Sequence, residues 1–112
     1  GYIVTPIVDK EIFSRAQLSE TADYLLSIAD VKASFVIGYI AEDTVAVSAR
    51  SAGEVNVQII MEKMNGGGHF SAAALQRRSA TVEDITTELI DRIIDYEEQE
   101  KENNESNHAD GR

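Results

Sequence analysis

Apolar and polar positions follow two different periods along this chain, and the places where the period changes outline its elements. Residues 2–8 (Tyr-Ile-Val-Thr-Pro-Ile-Val) are β-rich, but Pro6 cannot donate a ladder hydrogen bond. The stretch therefore reads as an edge strand or an extended linker. Between residues 16 and 29, Leu18, Ala22, Leu25, Leu26 and Ala29 recur at helical spacing, with Ser14 or Ser19 placed to cap the start. Residues 33–40 (Ala-Ser-Phe-Val-Ile-Gly-Tyr-Ile) are β-branched and aromatic, as a buried strand requires. After the short polar turn Ala41-Glu42-Asp43, residues 44–49 alternate apolar and small side chains. The short gap predicts an antiparallel hairpin.

Ser51-Ala52-Gly53-Glu54 fits the Ser-x-x-Glu capping box and predicts a helix over residues 55–64, with Val57, Ile60, Met61 and Met64 on one face. Asn65 and Gly66 are suited to end it. Residues 71–78 are alanine-rich, yet they are few and lie between a glycine run and a second capping pattern. We assign them as a strand. Thr81-Val82-Glu83-Asp84 opens the last helix, where Val82, Ile85, Leu89, Ile93 and Tyr96 step by three or four. Glu83 and Asp84 sit where the helix dipole favours acids. The predicted order is β-α-β-β-α-β-α, an α/β domain with a small mixed sheet of four to five strands flanked by helices. It occupies residues 1–96. Residues 97–112 hold one apolar side chain and are expected to fray into a disordered acidic tail.

Composition changes this picture only in part. The chain has 112 residues, 20 acids and 10 Lys plus Arg, a net charge of −10. Residues 1–80 hold 9 acids and 7 bases, a net of −2, whereas residues 81–112 hold 11 acids and 3 bases, a net of −8. The acidity thus belongs to the last segment, and the body is nearly neutral. A long nucleic acid is a poor partner for it, because few cations are present to displace counterions. One small phosphate ligand is not excluded. Cysteine is absent, which removes disulfides, thiolate zinc sites and a cysteine nucleophile and fits a reducing compartment. Residues 35–41, the longest apolar run, fall far short of the ~20 that a membrane-spanning helix needs. No signal peptide is visible, and a chain that starts at Gly1 reads as a piece of something longer.

Gly66-Gly67-Gly68-His69 is the feature the elements do not explain. Three consecutive glycines are entropically costly. They free the backbone to turn N–H groups towards a phosphate, and His69 adds a side-chain donor. A flexible turn between helix and strand is the other reading, and the residues alone leave both open. It is not a Walker loop, since no Lys-Ser/Thr comes after it. Arg50 ends an apolar strand, where α/β sheets place ligands, and its planar guanidinium suits phosphate. A plain surface arginine is the alternative. Ser48 and Ser51 flank it with hydroxyls, although helix capping is the plainer role for Ser51. His69 and His108 are the only imidazoles, and no Asp/His cluster stands at metal spacing. The carboxylates of the last helix read as a solvated face. These residues offer a phosphate-binding surface without a catalytic centre.

The block Asn65-Gly-Gly-Gly-His69-Phe70-Ser-Ala-Ala-Ala74, preceded by Ser48-Ala-Arg-Ser51, resembles the DHHA1 domain, the C-terminal substrate-binding half of DHH-family phosphoesterases. Residues 9–16 (Asp-Lys-Glu-Ile-Phe-Ser-Arg-Ala), 32–35 (Lys-Ala-Ser-Phe) and 59–62 (Ile-Ile-Met-Glu) narrow the resemblance to one branch. That branch is the membrane-anchored cyclic-di-AMP phosphodiesterases of Gram-positive bacteria, the GdpP/YybT type. The resemblance covers about residues 9–96. Where many relatives carry Ala-Ala-Gly after the histidine, this chain has Ala72-Ala73-Ala74.

The resemblance implies a cytoplasmic-facing soluble domain of a membrane-anchored parent. In that parent a separate DHH domain holds two Mn2+ and hydrolyses cyclic-di-AMP to the linear dinucleotide. The fragment itself would hold no cofactor and be inactive. By carry-over, Gly66, Gly67, Gly68 and His69 match the loop that contacts substrate phosphate, and Arg50 matches a phosphate- or nucleotide-binding arginine; Ser48 and Ser51 are weaker transfers. The implied partners are cyclic-di-AMP or a related dinucleotide and the DHH domain, with a homodimer left open. The alternative is a nucleic-acid-binding module, because DHHA1 domains also occur in single-strand exonucleases and alanyl-tRNA synthetases. A third reading is an interaction domain that offers its last helix to a partner.

Overall fold

A hairpin sets the frame. In the computed structural model, which describes residues 1–110 and the side chains of residues 1–104, β2 (Ala33–Ala41) pairs antiparallel with β3 (Thr44–Ser51). β1 (Tyr2–Pro6) lies parallel to β2, and α1 (Arg15–Ile28) makes the crossover a parallel pair needs. β5 (Ala72–Arg78) pairs antiparallel with β3, and a short β4 (Gly67–His69) pairs antiparallel with β5. The five-stranded mixed sheet has the order β1-β2-β3-β5-β4. Pro6 ends an edge strand, so its missing N–H costs no interior ladder bond.

Side-chain alternation divides the sheet into two faces. Phe35, Ile37, Val45, Val47, Ala73 and Leu75 project to one side, where α2 (Val57–Glu62) and α3 (Val82–Asp110) cover them. Ile60, Met61, Met64, Ile85 and Leu89 close this larger core. On the other face Val36 and Ala46 pack against Leu18 and Ala22 of α1. β2 and β3 are buried almost throughout because helices cover both of their faces. α1 lies over β2 and β3, and the same face of β5 stays open: Ala74 and Gln76 are exposed.

The caps separate two similar sequence signals. Ser14 caps α1 in a full capping box with Gln17, and the Thr81 hydroxyl accepts from the Asp84 N–H at 3.1 Å. Ser51 does not cap α2. It is still paired to Ala33 in β3, and its Oγ accepts from the Gly53 N–H at 3.0 Å. The helix expected over residues 55–64 is the shorter α2, capped by Asn56, whose carboxamide oxygen accepts from the Ile59 N–H at 3.3 Å. At its far end Asn65, with φ 66°, donates to the Glu62 carbonyl and Gly66 donates to the Met61 carbonyl. This pair of bonds is a Schellman closure, as Asn-Gly suggested.

Two other differences stand out. The glycine run expected as a loop contains the strand β4. α3 continues to Asp110 through most of the segment expected to be disordered. Its Glu, Gln and Lys are good helix formers, and each residue added to an existing helix gains one hydrogen bond. The His108 side chain, Gly111 and Arg112 lie outside the described residues. No helix among the described residues is long and apolar enough to cross a membrane.

Candidate functional site

Strand register brings together residues that are far apart in sequence. One cross-strand row runs Ser34, Arg50, Ala72, His69 over β2, β3, β5 and β4; the next runs Val36, Ser48, Ala74, Gly67. Directly opposed residues project to the same face. Arg50, Ser48, Gly67 and His69 therefore share the α1 face, in two adjacent rows. Only β5 separates Arg50 from His69, about 10 Å at ~4.8 Å per strand. Ala72, Ala74 and Gly67 form an open floor of small residues between them. Ser51 is one residue out of phase with Arg50, so it faces the opposite side of the sheet.

α1 builds one wall of this floor. Arg15, Ser19 and Asp23 recur every four residues and so line one edge of the helix. Arg15 Nη1 donates to Gln76 Oε1 on β5, the Ser19 and Ser48 hydroxyls are 2.9 Å apart, and Arg50 Nε stands 3.0 Å from Asp23 Oδ1. Arg50 Nη1 also donates to the Ala49 carbonyl at 2.9 Å, and Nη2 has no partner among the described residues. The sequence offered Ser19 only as a possible helix cap and did not mark Asp23; their signal as site residues was the four-residue spacing on a helix that comes after a strand.

The three glycines have different surroundings. Gly68 has φ +145°, and a Cβ there would stand 2.6 Å from the Ala72 carbonyl oxygen. A Cβ on Gly66 would collide with the Ala74 carbonyl oxygen and Leu75 Cβ. Both glycines are demanded by the close approach of this segment to β5. A Cβ on Gly67 would meet nothing within 4 Å. Beyond β4 the backbone is anchored: Val57 donates to the Phe70 carbonyl and Ser51 to the Ser71 carbonyl, each at 2.9 Å. His69 and Phe70 are thus exposed on a fixed turn, not a loose one.

Other regions offer less chemistry. No group of three or more His, Asp or Glu side chains among the described residues could hold a metal ion. A shallow concavity of about 360 Å³ lies on the outer side of α1, lined by Phe13, Gln17, Glu20, Thr21 and Tyr24, and includes none of the sequence candidates.

Comparison with known proteins adds an independent line. The family model described as the DHHA1 domain matches residues 1–97. The chain is 44% identical over 88 residues to the cyclic-di-AMP phosphodiesterase GdpP of Geobacillus thermodenitrificans, covering 79% of this chain and 13% of that protein. It is 44% identical over 91 residues to the cyclic-di-AMP phosphodiesterase GdpP of Bacillus subtilis, covering 81% and 14%. It is 42% identical over 88 residues to the cyclic-di-AMP phosphodiesterase PdeA of Listeria monocytogenes, covering 79% and 13%. The chain therefore spans only 13% to 14% of the length of these curated relatives.

Proposed function

The chain belongs to the DHHA1 domain family, and from that premise we propose that it is the substrate-binding half of a cyclic-di-AMP phosphodiesterase. The observation that carries this reading is the placement of Arg50 and His69 on one sheet face, on either side of the small residues that β5 leaves open. Arg50 directs N–H groups at a non-bridging phosphate oxygen, and the exposed His69 imidazole donates to the same or the second phosphate. Gly67 leaves room for the nucleotide to lie against the sheet. Ser48 already bonds Ser19, and Ser51 points away, so neither is assigned a ligand contact.

Hydrolysis, in this reading, belongs to a DHH domain elsewhere in the parent. The donors of this chain do not fit a two-manganese centre, since the described residues hold no cluster of metal-ligating side chains. Binding and orienting the dinucleotide is its share of the work. The parent is membrane-anchored with this domain facing the cytoplasm, and a long nucleic acid is disfavoured by the −2 charge of residues 1–80.

Substitution in the full-length protein tests the reading. His69→Ala is expected to lower cyclic-di-AMP turnover by more than about tenfold with the fold intact, the effect of losing one positioned donor to phosphate. Arg50→Ala is expected to raise KM. Unchanged kinetics in both variants would remove the proposed role. The isolated chain with Mn2+ is expected to leave cyclic-di-AMP uncleaved, as judged by chromatography of the products.

A further inference from the structure

We propose that Asp23 is a positioning residue, which holds the Arg50 guanidinium over the floor of the site and so sets the affinity for substrate phosphate. The inference rests on the reading of Arg50 given above. Asp23 Oδ1 lies 3.0 Å from Arg50 Nε, while the only other bond of that guanidinium among the described residues is from Nη1 to the carbonyl of its own neighbour, Ala49. With both contacts in place, Nη2 is left for a phosphate oxygen. Without Asp23, a long side chain is tethered at one point and can swing. Asp23 is itself well located: Ser19, one turn earlier on α1, meets the Ser48 hydroxyl at 2.9 Å, and Ser48 precedes Arg50 by two on the same face of β3. Two successive turns of α1 therefore clamp two successive face positions of β3.

Loss of the ion pair is expected to cost little stability. The Asp23 side chain is 61% exposed, and a surface pair of this kind adds little stability. Nor does its charge favour an anionic ligand. A negative carboxylate beside Arg50 opposes phosphate, so electrostatics alone expects removal of Asp23 to tighten binding. Positioning expects the reverse. The two accounts differ in sign, which makes the residue informative.

Kinetics of the full-length protein on cyclic-di-AMP, with Arg50→Ala, Asp23→Ala and Asp23→Asn side by side, separates them. Asp23→Ala is expected to raise KM about tenfold with kcat within about twofold, the signature of a displaced binding group. Asp23→Asn keeps an oxygen that accepts from Nε and is expected to stay within about threefold of the parent KM. Melting temperatures of both variants should match the parent. An unchanged or lowered KM in Asp23→Ala, with KM raised in Arg50→Ala, overturns the positioning role and leaves the function of Arg50 standing. Equal gains in affinity in Asp23→Ala and Asp23→Asn overturn it as well, because the charge and not the geometry would then matter. No effect of Arg50→Ala overturns both readings together.

Discussion

Gly66, Gly67 and Gly68 are adjacent in sequence and have separable roles. Gly68 adopts a φ of +145° that L side chains rarely take, and Gly66 packs against β5 where a Cβ has no room. Alanine at either position is expected to destabilise the domain by about 1–3 kcal/mol, through strain or overpacking. Denaturant unfolding measures this directly. Gly67 has open space in front of it, so Gly67→Ala should leave stability within about 0.5 kcal/mol of the parent. If substrate lies on the floor, the same variant raises KM. A run of glycines is thus two structural positions and one candidate contact.

At the scale of elements, caps and cross-element bonds decide where helices begin and how they sit. Asn56→Ala is expected to cost about 1 kcal/mol as the loss of the α2 cap, whereas Ser51→Ala removes no helix cap and should cost less. Comparison of the two unfolding midpoints tests the reassignment. Arg77 joins β5 to α3 and to the turn after α2: Nη1 and Nη2 donate to the Glu88 carboxylate on α3 and Nη2 to the Met64 carbonyl. The Arg77 hydrogen bonds hold the Glu88 carboxyl below the usual carboxylate range. A lowered folded value means that the contribution is complete above the unfolded value of about 4.3 and is lost as pH falls through the folded one. Both side chains are partly exposed, so the loss is about 0–1 kcal/mol. Glu88→Gln should flatten that acid limb in unfolding measured between pH 5 and pH 2, a window set by about 4.3.

Across the whole molecule, the first strand is tied to the last helix. Tyr2 donates its phenol to Glu97 Oε2 at 2.6 Å, a bond that spans 95 residues of sequence, and its ring stacks on Phe35. Burial, and then the bond and charge of Glu97, push the Tyr2 phenol above its ordinary range. A raised folded value means that this contribution is complete below the unfolded value of about 10 and is lost as pH rises towards the folded one. Tyr2→Phe is expected to remove the alkaline fall in stability attributable to this group, read by denaturant unfolding at pH 9 and pH 11, on either side of about 10. Charge is distributed at the same scale. The −8 belongs to residues 81–112, the segment that contains α3, while Arg50 and His69 lie on the opposite, α1 face of the sheet.

Short-range physics governs the part of this protein that is legible without tertiary information. The hairpin and the helices are legible from periods of 2 and 3.6, and the strand assigned over residues 71–78 from its shortness and the glycine and capping signals around it, all of which act over a few positions. The Arg50 and Gly-Gly-Gly-His candidates were legible because their residue types are chemically unusual. Strand order, register and competition between partners were not legible. β4 has two glycines in three residues, so there is no side-chain alternation to announce a strand. Ser51 and Thr81 carry the same capping pattern, yet pairing with Ala33 keeps Ser51 in the sheet. Only the register of three strands could set Arg50, Ser48, Gly67 and His69 on one face, turn Ser51 to the other, and bring Asp23 to Arg50. Those contacts join distant segments, and their energy depends on chain closure and packing that no local pattern encodes.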